Sequence, residues 1–273
     1  MDVLRGPAAA GSGPVALTIG HFAGVHLGHR AMLGRLREAA QRLRLPAAVM
    51  LFEPQPQEFF APDQAPARLT TLREKLELLA ATGVDRVYVW RFDYGFAQLP
   101  AEAFVHDVLC DRLRVRWLLV GDDFRFGARR SGNYELLRQL GDRNGFSVEA
   151  MGSVVHERER VPSTAVRGCL ESGDLAAASR LLGRPYSISG RVVAGDSLGA
   201  KLGYPTANVQ LRRLRAPLSG IFVVEVLGLA EQPLPGVASL GVRPTVKYRG
   251  LPTLEVHLLD FSERIYGRRI EVR

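Results

Sequence analysis

Residues 15–29 read VALTIGHFAGVHLGH. Val15-Ala16-Leu17-Thr18-Ile19 is apolar almost throughout and closed by Gly20, which predicts a strand buried on both faces. From His29 to Leu43 the spacing becomes helical, with Met32, Leu33, Leu36, Ala40 and Leu43 on one face. A strand that passes into a helix through a glycine-rich turn marks an α/β sheet. There backbone N–H groups are exposed and can hold a phosphate. His26 and His29 flank Gly28 at that turn.

Outward from this stretch, strand-like and helix-like segments alternate to about residue 150. Strands are expected at Ala47–Phe52, Val87–Trp90, Trp117–Gly121 and Ser147–Met151. Helices are expected from Thr70 or Thr71 to Ala81, then at Pro100–Cys110 and Asn133–Arg143. The Pro-rich stretch EPQPQEFFAPDQAP, residues 53–66, reads as an irregular loop. This alternation predicts a doubly wound parallel sheet. Two short helices, Thr164–Glu171 and Leu175–Leu182, lead to Gly183-Arg184-Pro185, where the texture changes. Beyond it come short β-rich runs at Ile188–Val193, Ile221–Leu227, Val237–Leu240, Thr253–Leu259 and Arg269–Val272, separated by Gly- and Pro-rich turns. They predict a small antiparallel barrel or sandwich. The expected domains are 15–185 and 186–273.

The chain of 273 residues has a hydrophobic content of 47%, enough for a real core in each part. No apolar run approaches the ~18 residues of a membrane span. The stretch MDVLRGPAAAGSGP lacks a signal-peptide core, so the expected location is cytoplasmic. Cys110 and Cys169 are far apart and read as small buried hydrophobes rather than a disulfide or metal pair. The net charge is +8, carried almost wholly by arginine against three lysines. A basic surface suits anionic small substrates as well as nucleic acid. Nothing resembles a recognition helix, a zinc finger or an aromatic RNA platform, so no nucleic-acid partner and no membrane partner is expected. Self-association is left open.

A His-x-Gly-His turn at a phosphate-binding position suggests nucleotidyl transfer. In that reaction an acceptor phosphate attacks the α-phosphorus of a nucleoside triphosphate, and the protein positions groups and neutralises charge. Imidazole N–H donors, the close approach allowed by Gly28 and the dipole of the following helix all fit it. Two other readings of the motif stand beside it: surface histidines near a turn, and a metal site of His21, His26 and His29. In the β-rich half, GDSLGAKLGYPTANV covers 195–209. Gly195, Gly199 and Gly203 offer a backbone-rich approach to phosphate. Thr206 and Asn208 alternate, so on a strand they face one side, as hard oxygen ligands suited to Mg²⁺. The other reading of that segment is a plain turn into a strand. There is no Gly-Lys pair, so a Walker A loop is excluded. Glu255, in the alternating run Leu254-Glu255-Val256-His257-Leu258, reads on pattern alone as solvent-facing.

The order of motifs resembles one family, the prokaryotic bifunctional riboflavin kinase/FAD synthetases. VHLGH at 25–29, LFEPQPQEFF at 51–60, VGDDFRFGARRSG at 120–132 and VPSTAVRGCL at 161–170 are similar to its nucleotidylyltransferase half. GDSLGAKLGYPTANV, SGIFVVEV at 219–226, SLGVRPTV at 239–246 and TLEVHLLDF at 253–261 are similar to its riboflavin kinase half, a β-barrel. The resemblance implies that riboflavin and ATP give FMN, and that FMN and ATP give FAD and pyrophosphate, with Mg²⁺ or another divalent cation. It implies that His26 and His29 contact the ATP phosphates. Gly20, Phe22, Gly24 and Gly28 would line that ATP site. Ser163, Thr164 and Arg167 would hold the triphosphate, and Asp123, Phe124 and Phe126 would line the flavin side. Asp123 also suits a simple turn, and Phe124 and Phe126 also suit the core. In the kinase half, Gly195, Gly199 and Gly203 would approach ATP, Thr206 and Asn208 would hold the cation, and Glu255 would be the general base.

The chain departs from the family pattern at Ala23, where Asp is usual, at His21, where Asn or a small residue is usual, and at Pro162, in place of a Ser. It stops at Arg273, where family members continue with a last strand segment and a helix that covers the flavin. Two rival readings follow. One keeps a single activity, the other having been lost through Ala23 or the missing tail. The other is a non-catalytic nucleotide- or RNA-binding module, motivated by the charge.

Overall fold

The computed structural model describes residues 1–6, 13–152, 155–156, 159–160, 162–195, 205–242 and 251–273. Its first elements are β1 (Asp2–Arg5), β2 (Val15–Ile19), α1 (Leu27–Leu43), β3 (Ala47–Glu53), α2 (Pro56–Phe60), α3 (Leu72–Ala80) and β4 (Arg86–Arg91). Next come α4 (Tyr94–Ala97), α5 (Ala101–Ala103), β5 (Val115–Gly121), α6 (Tyr134–Asn144), β6 (Ser147–Met151) and the short pair β7 (Val155–His156) and β8 (Glu159–Arg160). The chain ends with α7 (Ser163–Glu171), α8 (Leu175–Leu182), β9 (Ile188–Val193), β10 (Ala207–Gln210), β11 (Gly220–Leu227), β12 (Leu234–Val242), β13 (Pro252–Leu258) and β14 (Arg269–Val272). Two compact units result: Met1–Ala65 with Lys75–Val161, and Pro66–Glu74 with Pro162–Arg273.

In the first unit six parallel strands take the order β1-β4-β3-β2-β5-β6. β2 is central, and every one of its residues is buried, as its apolar run requires. The chain winds one way from β2 through β3 and β4, then crosses back so that β5 lies on the other side of β2. That reversal is the switch point, where the carboxyl ends of β2 and β5 diverge and leave a crevice. α1 packs Leu33, Leu36, Ala39 and Ala40 inward; Leu43, expected on that face, is exposed, because the helix ends at Arg44 with a left-handed backbone. Tyr88, Trp90, Phe104, Leu109, Leu118 and Phe126 belong to the core.

Two expectations need correction here, and one strand was not foreseen. The Pro-rich stretch is not wholly irregular: Pro56 opens α2, and Gln55 and Glu58 cap it reciprocally. Proline at a first helical position costs nothing, since that N–H has no helical partner. The N-terminal residues form a strand, β1, in register with β4 from Asp2↔Arg86 to Arg5↔Val89. Cys110 and Cys169 are free thiols, but half-buried rather than fully buried.

In the second unit the strands β10-β13-β12-β11-β14-β9 close into an antiparallel barrel. Inward and outward residues alternate along β13: Leu254, Val256 and Leu258 fill the interior, while Thr253, Glu255 and His257 face out. A buried polar network joins residues 66–74 to this barrel. The Glu74 carboxylate accepts from Thr71 N at 2.6 Å and Thr71 Oγ1 at 2.9 Å, which caps α3. It also accepts from the Ser189 backbone at 2.7 Å and from the Arg213 guanidinium at 2.5 Å. Arg213, whose side chain is 0% exposed, donates further to the Tyr186 hydroxyl at 2.7 Å. Tyr186 in turn donates to the Leu69 carbonyl at 3.0 Å.

Removing one member of a buried ion pair strands the other without solvent, at a cost of about 3–5 kcal/mol. Arg213→Met should therefore lower the unfolding free energy by roughly that amount in a denaturant titration. A midpoint unchanged from the parent would show that the pair contributes nothing.

Candidate active sites

The first site lies at the switch point. After β2 the backbone turns sharply. Phe22 and Val25 adopt left-handed φ values of 45° and 42°, and Gly24 one of 71°. A β-branched residue at positive φ is a true outlier, so this turn holds strain, as functional turns often do. Gly24 takes the same region without a Cβ penalty. The turn delivers His26 as the N-cap of α1, where its Nδ1 accepts from the His29 backbone N–H at 3.4 Å. With Nδ1 as acceptor, the neutral ring carries its proton on Nε2.

His29, one turn into α1, stacks on His26 with ring centroids 3.6 Å apart. The ring of Phe22, wholly buried, also packs against it, with a centroid distance of 4.9 Å. His29 Nδ1 is enclosed, with no hydrogen-bond partner among the described residues. Burial, above all, holds the His29 imidazole well below the ordinary histidine pKa; His26, Lys75 and His21 push it the same way. Lys75 is itself only 2% exposed. A neutral His29 ring stacked on His26 at a helix N-terminus presents an N–H donor to an anion without prior proton uptake. Gly20 and Gly28 lie at the two ends of this turn, Gly28 being the second residue of α1. Ala23, at the position of the family's usual Asp, is 5% exposed within the turn.

Across the crevice, the segment after β5 makes a turn in which Phe124 N–H donates to the Gly121 carbonyl at 3.1 Å. Asp123 is exposed on that turn. Phe124 stacks on Phe126 with centroids 5.7 Å apart, and Phe126 is core, 6% exposed against Phe104. Sequence reasoning missed a larger aromatic set at the same end of the sheet. Phe52 is the penultimate residue of β3, Phe59 and Phe60 lie on α2, and Phe92 and Phe96 follow β4. Their rings meet at centroid distances of 5.2–5.7 Å. Phe60 is 65% exposed. The pair Phe59-Phe60, next to prolines and with no helical core to face, was the available signal.

Ser163, Thr164 and Arg167 belong to the second unit, where Ser163 and Thr164 open α7 and Arg167 follows one turn on. The Arg167 Nε–H donates to the Ala67 carbonyl at 2.8 Å, and burial lowers the guanidinium pKa. Gly199 and Gly203 lie outside the described residues.

The second site is on the outer face of the barrel. Asn208 on β10 pairs directly with Glu255 on β13, and Ser239 on β12 flanks Glu255 on the other side. Directly opposite residues share a face with Cβ atoms ~5 Å apart. Thr206, two residues before Asn208, falls on the same side by alternation. Gly195 explains the close packing here: a Cβ there would collide with the Asn208 amide. Hydroxyl, amide oxygen and carboxylate on one face form an all-oxygen donor set, which fits a hard divalent cation.

Comparison with known proteins gives these sites a context. The FAD synthetase family matches residues 9–165, and the riboflavin kinase family matches residues 182–273. The chain is 55% identical over 257 residues to the bifunctional riboflavin kinase/FMN adenylyltransferase of Escherichia coli K12, covering 94% of this chain and 82% of the relative. The chain belongs to the bifunctional riboflavin kinase/FMN adenylyltransferase family. The relative of the same description from Pseudomonas fluorescens is 50% identical over 93% of this chain and 81% of its own length. That from Haemophilus influenzae is 47% identical, over 94% and 83%. A solved Streptococcus pneumoniae chain, described as a macrolide-efflux protein, superposes with a TM-score of 0.83 at 28% identity, covering 100% of this chain and 89% of its own. Among the described residues here, no helix is long and apolar enough to cross a membrane.

His29 makes stability depend on pH. Its folded pKa is depressed, so the unfolded chain binds the proton better, and stability falls as pH drops below about 6.5. The melting temperature, followed from about pH 8 to about pH 5, should decline through that range, and His29→Gln should flatten the decline. An equal decline in the variant would assign the titration to another group.

Proposed function

We propose that the chain makes FAD from riboflavin in two ATP-dependent steps carried out at two separate sites. The observation that carries this division is the placement of the His26–His29 stack in one compact unit and of the Thr206, Asn208 and Glu255 set in the other. We take 15–185 and 186–273 as the functional domains, and a cytoplasmic setting with small-molecule substrates.

In the barrel, Glu255 takes the proton from the riboflavin 5′-hydroxyl as that oxygen attacks the γ-phosphorus of ATP. Thr206 and Asn208 hold a divalent cation, Mg²⁺ by preference for such oxygens, which neutralises phosphate charge when bound. Gly195, with Gly199 and Gly203, lets the backbone approach the phosphates. In the sheet unit, a phosphate oxygen of FMN attacks the α-phosphorus of ATP and pyrophosphate leaves. His26 Nε2–H and the His29 ring donate to phosphoryl oxygens whose charge rises in the transition state. Gly20, Phe22, Gly24 and Gly28 shape that turn. Ser163, Thr164 and Arg167, on α7 of the second unit, are the residues that the family resemblance gives to the triphosphate. Asp123 and Phe124 face the flavin, Phe126 supports Phe124 from the core, and Phe59, Phe60 and Phe92 offer aromatic faces for the ring system.

Ala23 favours a second reading, in which adenylyl transfer is slow. Ala23 puts a methyl group in the buried turn where the family's usual Asp would offer a carboxylate to accept from a ribose hydroxyl or orient a cation-bound water.

The test separates flavins by chromatography after incubation with ATP and Mg²⁺. The parent should turn riboflavin into FMN and FAD. FMN without FAD would establish the second reading, and no turnover of either flavin would sink both. Glu255→Gln should lower FMN formation by at least ~10³-fold while supplied FMN still gives FAD. His29→Ala should reverse the pattern, lowering FAD formation by roughly 10²-fold. A variant that lost both activities equally would refute the two-site division.

A further inference from the structure

We infer that His257 is a positioning residue of the kinase site, fixing Thr206 on the face that Asn208 and Glu255 share by holding the carbonyl of Pro205. The inference rests on the proposed role of Thr206, Asn208 and Glu255.

The strand β10 begins only at Ala207, and its pairing with β13 runs Val209↔Leu254, Asn208↔Glu255 and Ala207↔Val256. Continuing the register by one step sets residue 206 against residue 257. The residue before Thr206 is Pro205, which has no N–H to give to a ladder. The part of the chain that carries Thr206 therefore enters the barrel just before the first ladder pair of β10 with β13, Ala207↔Val256. At that place the His257 Nδ1 lies 2.9 Å from the Pro205 carbonyl oxygen. A carbonyl only accepts, so Nδ1 carries the proton and donates.

The geometry makes this bond consequential for the site. The Pro205 carbonyl and the Thr206 nitrogen and Cα share one planar peptide unit. Fixing the oxygen fixes the plane, and with it the point from which the Thr206 side chain leaves. His257 is two residues from Glu255 on the same outward face of β13. One strand thus presents the general base and the clamp that sets the opposing ligand. A structural role alone would require only the ring's volume. A positioning role requires the donor at the Nδ1 place.

Two substitutions separate these. His257→Phe keeps a ring and loses the donor. His257→Asn has a donor nitrogen the same number of bonds from the backbone as Nδ1. With the full chain, His257→Phe should raise the ATP concentration needed for half-maximal riboflavin phosphorylation at least ~10-fold, a loss equivalent to about 1.4 kcal/mol. It should weaken calorimetric binding of ADP with Mg²⁺ by a similar factor. His257→Asn should restore both to within about threefold. Conversion of supplied FMN to FAD should be unchanged in either variant. Independently of any variant, the long-range ¹H–¹⁵N spectrum of the parent should show the neutral His257 ring protonated at Nδ1.

An Nε2–H tautomer overturns the inference, as does a His257→Phe chain with parental nucleotide dependence, or a His257→Asn chain no better than His257→Phe. Glu255→Gln in the same assay keeps the two levels distinguishable. If it stays fully active, the assignment of the kinase site fails and the clamp with it. If it is inactive while His257→Phe behaves as the parent, only the clamp fails.

Discussion

The barrel unit depends on one carboxylate. Glu74 is 7% exposed and serves three masters: the N-terminus of α3, the backbone of β9 at Ser189, and the guanidinium of Arg213. A buried charge is tolerated only where its lone pairs are satisfied, and here both oxygens are engaged. Such a network adds little net stability over an apolar replacement, but it is intolerant of partial occupancy. The Arg213 Nε, buried without a partner among the described residues, shows that even this set is not complete. What the network supplies is placement. Residues 66–71 form no helix or strand of their own, yet Tyr186, Arg213 and Ser189 fix where they lie and where α3 begins.

The next residue carries a different obligation. Lys75, on the same helix, is counted with the sheet unit, where its charge contributes to keeping His29 neutral. The His26–His29 stack is electrostatically delicate. Two imidazolium rings at a centroid distance of 3.6 Å would repel strongly, and enclosure of His29 Nδ1 adds a desolvation cost. A neutral His29 avoids both. The turn therefore couples backbone strain, ring stacking and charge at one helix N-terminus, beside the central strand of the sheet.

Much of this was legible in residue order. The apolar run of β2, the helical face of α1 and the alternation Leu254-Glu255-Val256-His257-Leu258 each announce their element, because burial on two faces, one stripe or one side leaves a distinct period. The elements that escaped were those whose stability comes from partners remote in sequence. β1 exists because β4 offers it an edge. α2 rests on a reciprocal cap within a segment whose prolines argue against regular structure. The aromatic set of Phe52, Phe59, Phe60, Phe92 and Phe96 draws on three separate segments, which no local pattern brings together.

By itself the sequence determined the two architectures and the family and offered candidate groups for phosphoryl chemistry, since these depend on residue type and short spacing. Tertiary structure decided three things that spacing cannot carry. It set the strand order that puts the histidine turn at the switch point, because hydrogen-bonded neighbours in a sheet need not be neighbours in the chain. It decided the ionisation of His29, because desolvation depends on what surrounds a ring. It also joined Asn208 to Glu255 across two strands and His257 to the carbonyl before Thr206, contacts that exist only once the barrel closes.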